Sequence, residues 1–190
     1  MPLTAELLLD RLATHFAHRR DALDVIGRFG NRFEDWIKWE AAVGLHVSSF
    51  VDAGDDIGSV AVERDDCDLF VGRLAWPGGS GYPPAHKDDV WIEFKARCTR
   101  DKGPAELACD VGKAINTQRA RKGSNGLGVF LTIAVIVAHP ARPDVGPWLI
   151  KLSADPSLPA KPIIRRIYTD SRTPGAADDS VMFALIGWET

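Results

Sequence analysis

Asp68, Glu93 and Lys95 are the residues whose types and spacing could do chemistry. In DVWIEFKAR, Glu93 and Lys95 alternate with Ile92, Phe94 and Ala96. On a strand that alternation puts a carboxylate and an ammonium side by side on one face and the apolar residues on the other. Asp68 lies in the preceding segment, CDLFV, itself alternating around Cys67, Leu69 and Val71. If the two segments pair as a hairpin, Asp68 lies beside Glu93. Two carboxylates at one point repel, and a hard divalent cation between them relieves the repulsion. Mg²⁺ keeps several of its waters, so two acids suffice, and Mn²⁺ takes similar oxygen ligands. A cation so held can activate water and polarise a phosphoryl oxygen, while Lys95 orients the water or balances transition-state charge. These are the parts that phosphodiester hydrolysis requires. The rival reading is an exposed ion pair between Glu93 and Lys95 on an edge strand, since most charged residues are solvated.

The elements that must position these residues follow from pattern. The first 45 residues are helical, with Leu7, Leu8, Leu12 and Phe16 forming one stripe and Gly27 and Gly30 interrupting it. Asn31 suits the N-cap of a second helix over residues 32–43, with Glu34 and Asp35 in its first turn and Gly44 at its C-cap. Residues 47–51 read as a short strand, 52–58 as a turn and 59–71 as a longer strand. Residues 73–89 are a Gly/Pro-rich loop, and the strand carrying Glu93 and Lys95 spans 89–97. Pro104 opens a helix to about residue 121, with Leu107, Val111, Ala114 and Ile115 on its apolar face. Residues 127–138 are continuously apolar and β-branched, as in a strand covered on both faces. Later strands are expected at 148–152, 163–168 and 181–188, with a loop at 170–180. The expectation is one α/β domain built on a central mixed sheet flanked by helices.

Composition narrows the function. The 190 residues are 45% hydrophobic and 26% charged, a globular balance, and the net charge of −3 excludes a generally basic, nucleic-acid-coating protein. The apolar run 126–138 is too short to span a bilayer. Glu6 and Asp10 interrupt the N-terminal apolar stretch, which argues against a signal peptide. Cys67, Cys98 and Cys109 lack metal-site spacing and are odd in number, so a reducing, cytoplasmic setting is expected, with Cys98 and Cys109 as buried small hydrophobes. No membrane partner is expected.

The order of these motifs resembles the PD-(D/E)xK nuclease superfamily, which has the restriction-endonuclease-like fold. That family has an acid on a first helix, an Asp at a strand, (Asp/Glu)-x-Lys on the next strand and then a helix. The matching residues are Glu34 or Glu40 in RFEDWIKWEAAVGL, Asp68, and Glu93 with Lys95 in WIEFKA. No proline precedes Asp68, a departure the family tolerates, and the Gly/Pro loop absorbs a long spacing to Glu93. The resemblance spans about residues 31–138, leaving 1–30 as a helical extension and 139–190 as strands that complete the sheet or form an interface. It implies a Mg²⁺-dependent nuclease acting on DNA in preference to RNA, with Asp68 and Glu93 as metal ligands and Lys95 positioning water. The helical acid would be Glu34 in preference to Glu40, although Glu34 could instead pair with Lys38 one turn on. Homodimers are frequent in the superfamily, so a homodimer is compatible. The other reading is a non-catalytic nucleic-acid-binding or accessory module that keeps the fold.

Several other residues are candidates for nucleic-acid contact. Residues 95–122 are rich in Lys and Arg and could track phosphates, with Arg97, Lys113 and Arg119 the chosen positions, or form a solvated helix face. Gln118, one turn beyond Ala114 and Ile115 on the face that should pack against the sheet, is a weaker candidate, and an outward-pointing polar residue at a helix end is the preferred reading. Trp36 and Trp39 fit the core better than base stacking, Trp91 could wall the site, and Trp76 and Tyr82 suit base contact from the loop.

Overall fold

The computed structural model describes residues 4–29, 33–51, 59–64, 67–72, 86–100, 103–125, 128–168 and 181–190. Three helices come first: α1 (Ala5–His18), α2 (Arg20–Phe29) and α3 (Glu34–Val51). Strands β1 (Ser59–Val62), β2 (Leu69–Gly72) and β3 (Val90–Cys98) follow. Then come α4 (Pro104–Asn125), β4 (Val129–Val137), α5 (Gly146–Ser153), β5 (Ile163–Tyr168) and β6 (Val181–Glu189).

The six strands form one mixed sheet in the order β1-β2-β3-β4-β6-β5. Among the described strands only β3 and β4 are parallel neighbours, from Val90↔Val129 to Cys98↔Val137. A parallel pair needs a crossover, and α4 provides it. The sheet is covered on both sides. Alternate residues of β3 and β4 (Ile92, Phe94, Leu131, Ile133) pack against α1 and α3 through Leu8, Leu12, Phe16, Ile37 and Leu45. The other residues of β4 (Ala134, Ile136) pack with β6 against α4 and α5 through Leu107, Val111, Ile115 and Trp148. This is why β4 reads as an unbroken apolar run: almost every side chain is buried. The molecule is therefore α/β with a six-stranded mixed sheet flanked by helices, and β5 and β6 complete that sheet.

Several expectations are corrected. The break in the N-terminal helical region falls at Arg19, which caps α1, and Gly27 lies inside α2. The buried stripe of α1 is Ala5, Leu8, Leu9, Leu12 and Phe16, with Leu7 only half-buried. Gly44 does not end α3. It sits inside the helix where α1 crosses closely, and a Cβ there would come 2.5 Å from His15 Cγ. The strand expected at 47–51 is the last part of α3. The strand expected at 59–71 is two antiparallel strands, reversed between Val62 and Leu69. Glu63 starts that reversal with a φ of 56°, and its N–H bonds the carbonyl of Asp68 at 3.0 Å. The strand expected at 148–152 is helix α5. Cys109 is exposed, whereas Cys98 is buried and its thiol contacts the Gly27 carbonyl at 3.5 Å. Trp36 packs partly buried against the core, but Trp39 is 62% exposed. Gly30, Asn31, Trp76, Tyr82 and the loops at 52–58, 73–85 and 170–180 lie outside the described residues. Among the described residues no helix is long and apolar enough to cross a membrane.

Candidate functional site

The site lies where β2 leaves β3. The two strands pair from Leu69↔Ile92 to Val71↔Val90. Beyond Ile92, β3 continues to Cys98 without β2 beside it, and such an edge presents N–H groups that must find acceptors. Two carboxylates supply them. Asp68, the residue before β2, accepts the Phe94 N–H on Oδ2 at 2.7 Å. Glu34, the first residue of α3, accepts the Ala96 N–H on Oε2 at 3.1 Å. Helix and hairpin are thus fixed to one strand edge by the acids themselves.

Glu93 and Lys95 share a face of β3, and Nζ of Lys95 donates to Glu93 Oε1 at 2.9 Å. The same ammonium is 3.4 Å from Glu34 Oε1, so it bridges the strand acid and the helix acid. Lys38, one turn along α3 from Glu34, reaches Asp68 Oδ1 at 3.4 Å, Asp35 at 2.9 Å and Glu63 at 3.4 Å. It does not make the expected pair with Glu34. Asp68, Glu93, Lys95 and Glu34 are thus brought together, while Glu40 is not. Glu40 is held between His15 Nε2 at 2.8 Å and Arg19 Nε at 2.6 Å, tying α3 to α1.

Burial makes these charges interact strongly. The Glu93 carboxyl titrates above its ordinary value of 4.5, first because it is buried and next because of the Asp68 charge, with Lys95 and Arg121 working the other way. Burial opposes the charge on Lys95, yet Glu34, Glu93 and Asp68 hold its pKa above the usual lysine range. Lys38 behaves alike: burial opposes its charge, and Asp35, Asp68 and Glu63 outweigh it. The Cys67 thiol is pushed up to about 11 by burial, against the effect of Arg121, which donates to its sulfur at 3.1 Å.

A sign follows for stability. Because the folded state raises the Glu93 pKa, it holds the proton more tightly than the unfolded chain, and the wild type loses stability as pH rises from about 4.5 through the folded value. Glu93→Gln is therefore expected to melt higher than wild type at pH 7 without divalent cations, and the gap should close at pH 4, where both side chains are neutral. Thermal melts at both pH values check this. A variant that melts lower at pH 7 would show that Lys95 depends on the Glu93 charge more than burial penalises it.

The residues chosen for nucleic-acid contact divide. Gln118 is corrected: it is buried, its Nε2 donates to the Leu131 carbonyl at 3.3 Å, and its Oε1 accepts from Thr132 Oγ1 at 2.7 Å. Both ends of the amide are engaged in joining α4 to β4. Arg97 is bound to Asp110 at 2.6 Å. Lys113 and Arg119 are exposed on α4, with Lys113 3.7 Å from Asp110. Trp91 is buried against Phe70 and Phe130, under the Arg64 guanidinium. It supports the sheet beside Glu93 rather than lining an open wall.

Sequence reading missed Lys38 and Arg121 as members of the site. The signal for Lys38 was its position one turn after Glu34, and for Arg121 its position three residues after Gln118 on α4. Asp68 and Glu93 are the carboxylates here that could hold a cation. Among the described residues no cluster of three or more His, Cys, Asp or Glu is arranged around one metal position. No family model, curated protein or solved structure matches the chain.

Proposed function

We propose that the protein is a metal-dependent nuclease of the PD-(D/E)xK kind, hydrolysing phosphodiester bonds in DNA. One observation carries the reading: Asp68, Glu93, Lys95 and Glu34 come from three separate elements and converge at the fork between β2 and β3. The donor set is all carboxylate oxygen, which suits Mg²⁺ or Mn²⁺, and the mutual repulsion of Asp68 and Glu93 is what such a cation would relieve. Asp68 and Glu93 would hold it, and when bound it would supply Lewis-acid polarisation and an activated water. Lys95, fixed between Glu93 and Glu34, presents a permanent positive charge where negative charge builds on the phosphoryl oxygens. Glu34 sets the place of that ammonium and ties α3 to β3. Among the described residues Lys113 and Arg119 have no tight ion pair, and at the exposed face of α4 they suit phosphate contact.

A second reading, a non-catalytic nucleic-acid-binding module, is favoured by a different observation. Both oxygens of Asp68 and both of Glu34 have partners from the chain itself, so the cluster is electrostatically satisfied without a metal. The test is cleavage of duplex DNA with Mg²⁺ or Mn²⁺, comparing wild type with the charge-neutral double variant Asp68→Asn/Glu93→Gln. Cleavage by the wild type alone is expected. DNA binding by both proteins with cleavage by neither would establish the accessory module instead.

A further inference from the structure

We propose that Lys38 is a built-in counter-ion of this site, occupying the Asp68 side of the carboxylate pair until a divalent cation displaces it. The inference rests on the nuclease reading and adds a means of regulating the same site.

The two ammonium groups have different work. Lys95 lies against Glu93 and Glu34. Lys38 lies against Asp68. Asp68 Oδ2 is committed to the Phe94 N–H, so Oδ1 is the oxygen left to meet a cation, and Oδ1 is the atom that Lys38 approaches at 3.4 Å. A lysine whose side chain is only 10% exposed loses much of its hydration, and its carboxylate neighbours return it. Those neighbours differ in setting. Asp68 is 14% exposed, whereas Asp35 and Glu63 are 81% and 70% exposed. The ammonium thus has an outer pair of acids already within reach and can move toward them by side-chain rotation, leaving Asp68 Oδ1 open.

Charge arithmetic gives the direction. The set of Glu34, Asp68 and Glu93 with Lys38, Lys95 and Arg121 sums to zero. A divalent cation would turn that to +2, or to +1 once Lys38 has moved out to Asp35 and Glu63. Without Lys38 the set is −1, and the cation meets one positive charge fewer. Two like charges a few ångströms apart in a partly buried site repel strongly. Lys38 therefore weakens divalent binding, and the site fills only when the free cation concentration suffices to displace it.

The test is calorimetric titration of Mn²⁺ and Mg²⁺ into wild type, Lys38→Met, Lys38→Gln and Lys38→Arg, each checked for its fold by circular dichroism. Met keeps the apolar stem, and Gln is the alternative if Met fails to fold. Both neutral variants are expected to bind about tenfold or more tightly than wild type, with the Arg variant close to wild type. A flat wild-type titration with binding restored in Lys38→Met supports the proposal as well. Wild-type binding with unchanged or weaker binding in both neutral variants overturns it while leaving the nuclease reading in place. Binding by none of the four overturns both.

Discussion

In the nuclease proposed here, Lys95→Met is expected to lower the rate of phosphodiester hydrolysis by about 10²- to 10³-fold at saturating divalent cation, without weakening cation binding. The magnitude is that of removing one preorganised charge or donor aimed at developing negative charge. The geometry explains why the loss should fall on rate. Lys95 is held by Glu93 at 2.9 Å and by Glu34 at 3.4 Å, so its charge is in place before any substrate arrives. Met preserves the length and the apolar stem while removing the ammonium. Loss of a positive charge beside Glu93 also favours an incoming cation, so the affinity should stay level or rise. The contrast with Lys38 lies in the rate: its neutral variant should tighten cation binding without this loss of turnover at saturating cation. Single-turnover cleavage and calorimetry on the same preparation separate the two lysines. A Lys95→Met protein that cleaves at the wild-type rate would reduce Lys95 to charge balance between two acids.

What could be read from the sequence was the part decided locally. The alternation in DVWIEFKAR fixes both the strand and the shared face of Glu93 and Lys95, because a period of two has no other regular meaning over that length. The β-branched run of β4 marks burial on both faces for the same reason. Where long-range packing decided, the sequence misled. His46 to Val51 carries β-formers, yet it prolongs α3 because the helix is already committed through Ile37, Ala41 and Leu45 against the sheet. In GPWLIKLS the apolar cluster suggests a strand, but Pro147 in the first turn and the burial of Trp148, Leu149 and Leu152 on one side belong to a helix. The candidate site shows the same division. Asp68 beside Glu93 follows from hairpin pairing. The reach of Lys38 from α3 to the turn between β1 and β2 depends on how helix and hairpin dock, which no local spacing encodes. Gln118 does lie on the sheet-facing side of α4, as its place one turn beyond Ala114 and Ile115 suggests, but its partners, Thr132 and the Leu131 carbonyl, lie on another element and could not be read locally; a polar side chain can be buried once its donors and acceptors are met.

Asp68 combines two duties that one pair of variants can separate. Its Oδ2 caps the Phe94 N–H on the open edge of β3, and its charge faces Glu93 and Lys38. Asp68→Ala removes both, leaves a strand amide without its acceptor, and is expected to cost about 1–3 kcal/mol of stability. Asp68→Asn keeps a carbonyl oxygen that can accept from the Phe94 N–H and removes only the charge. Its cost should be smaller because two effects oppose each other. Lys38 loses one of its three anions, which destabilises, and Glu93 loses a repelling neighbour, which stabilises. If Asp68 holds the proposed cation, divalent binding should behave differently, falling by about a hundredfold in both variants, since an uncharged amide oxygen attracts a hard divalent cation far less than a carboxylate does. The order expected in urea unfolding is thus wild type, then Asn, then Ala, while calorimetry should group Asn with Ala. Equal destabilisation by both substitutions would mean that charge, not the capped amide, anchors the β2–β3 fork. Wild-type cation affinity in the Asn variant would remove Asp68 from the metal site and leave it as the bolt between hairpin and strand edge.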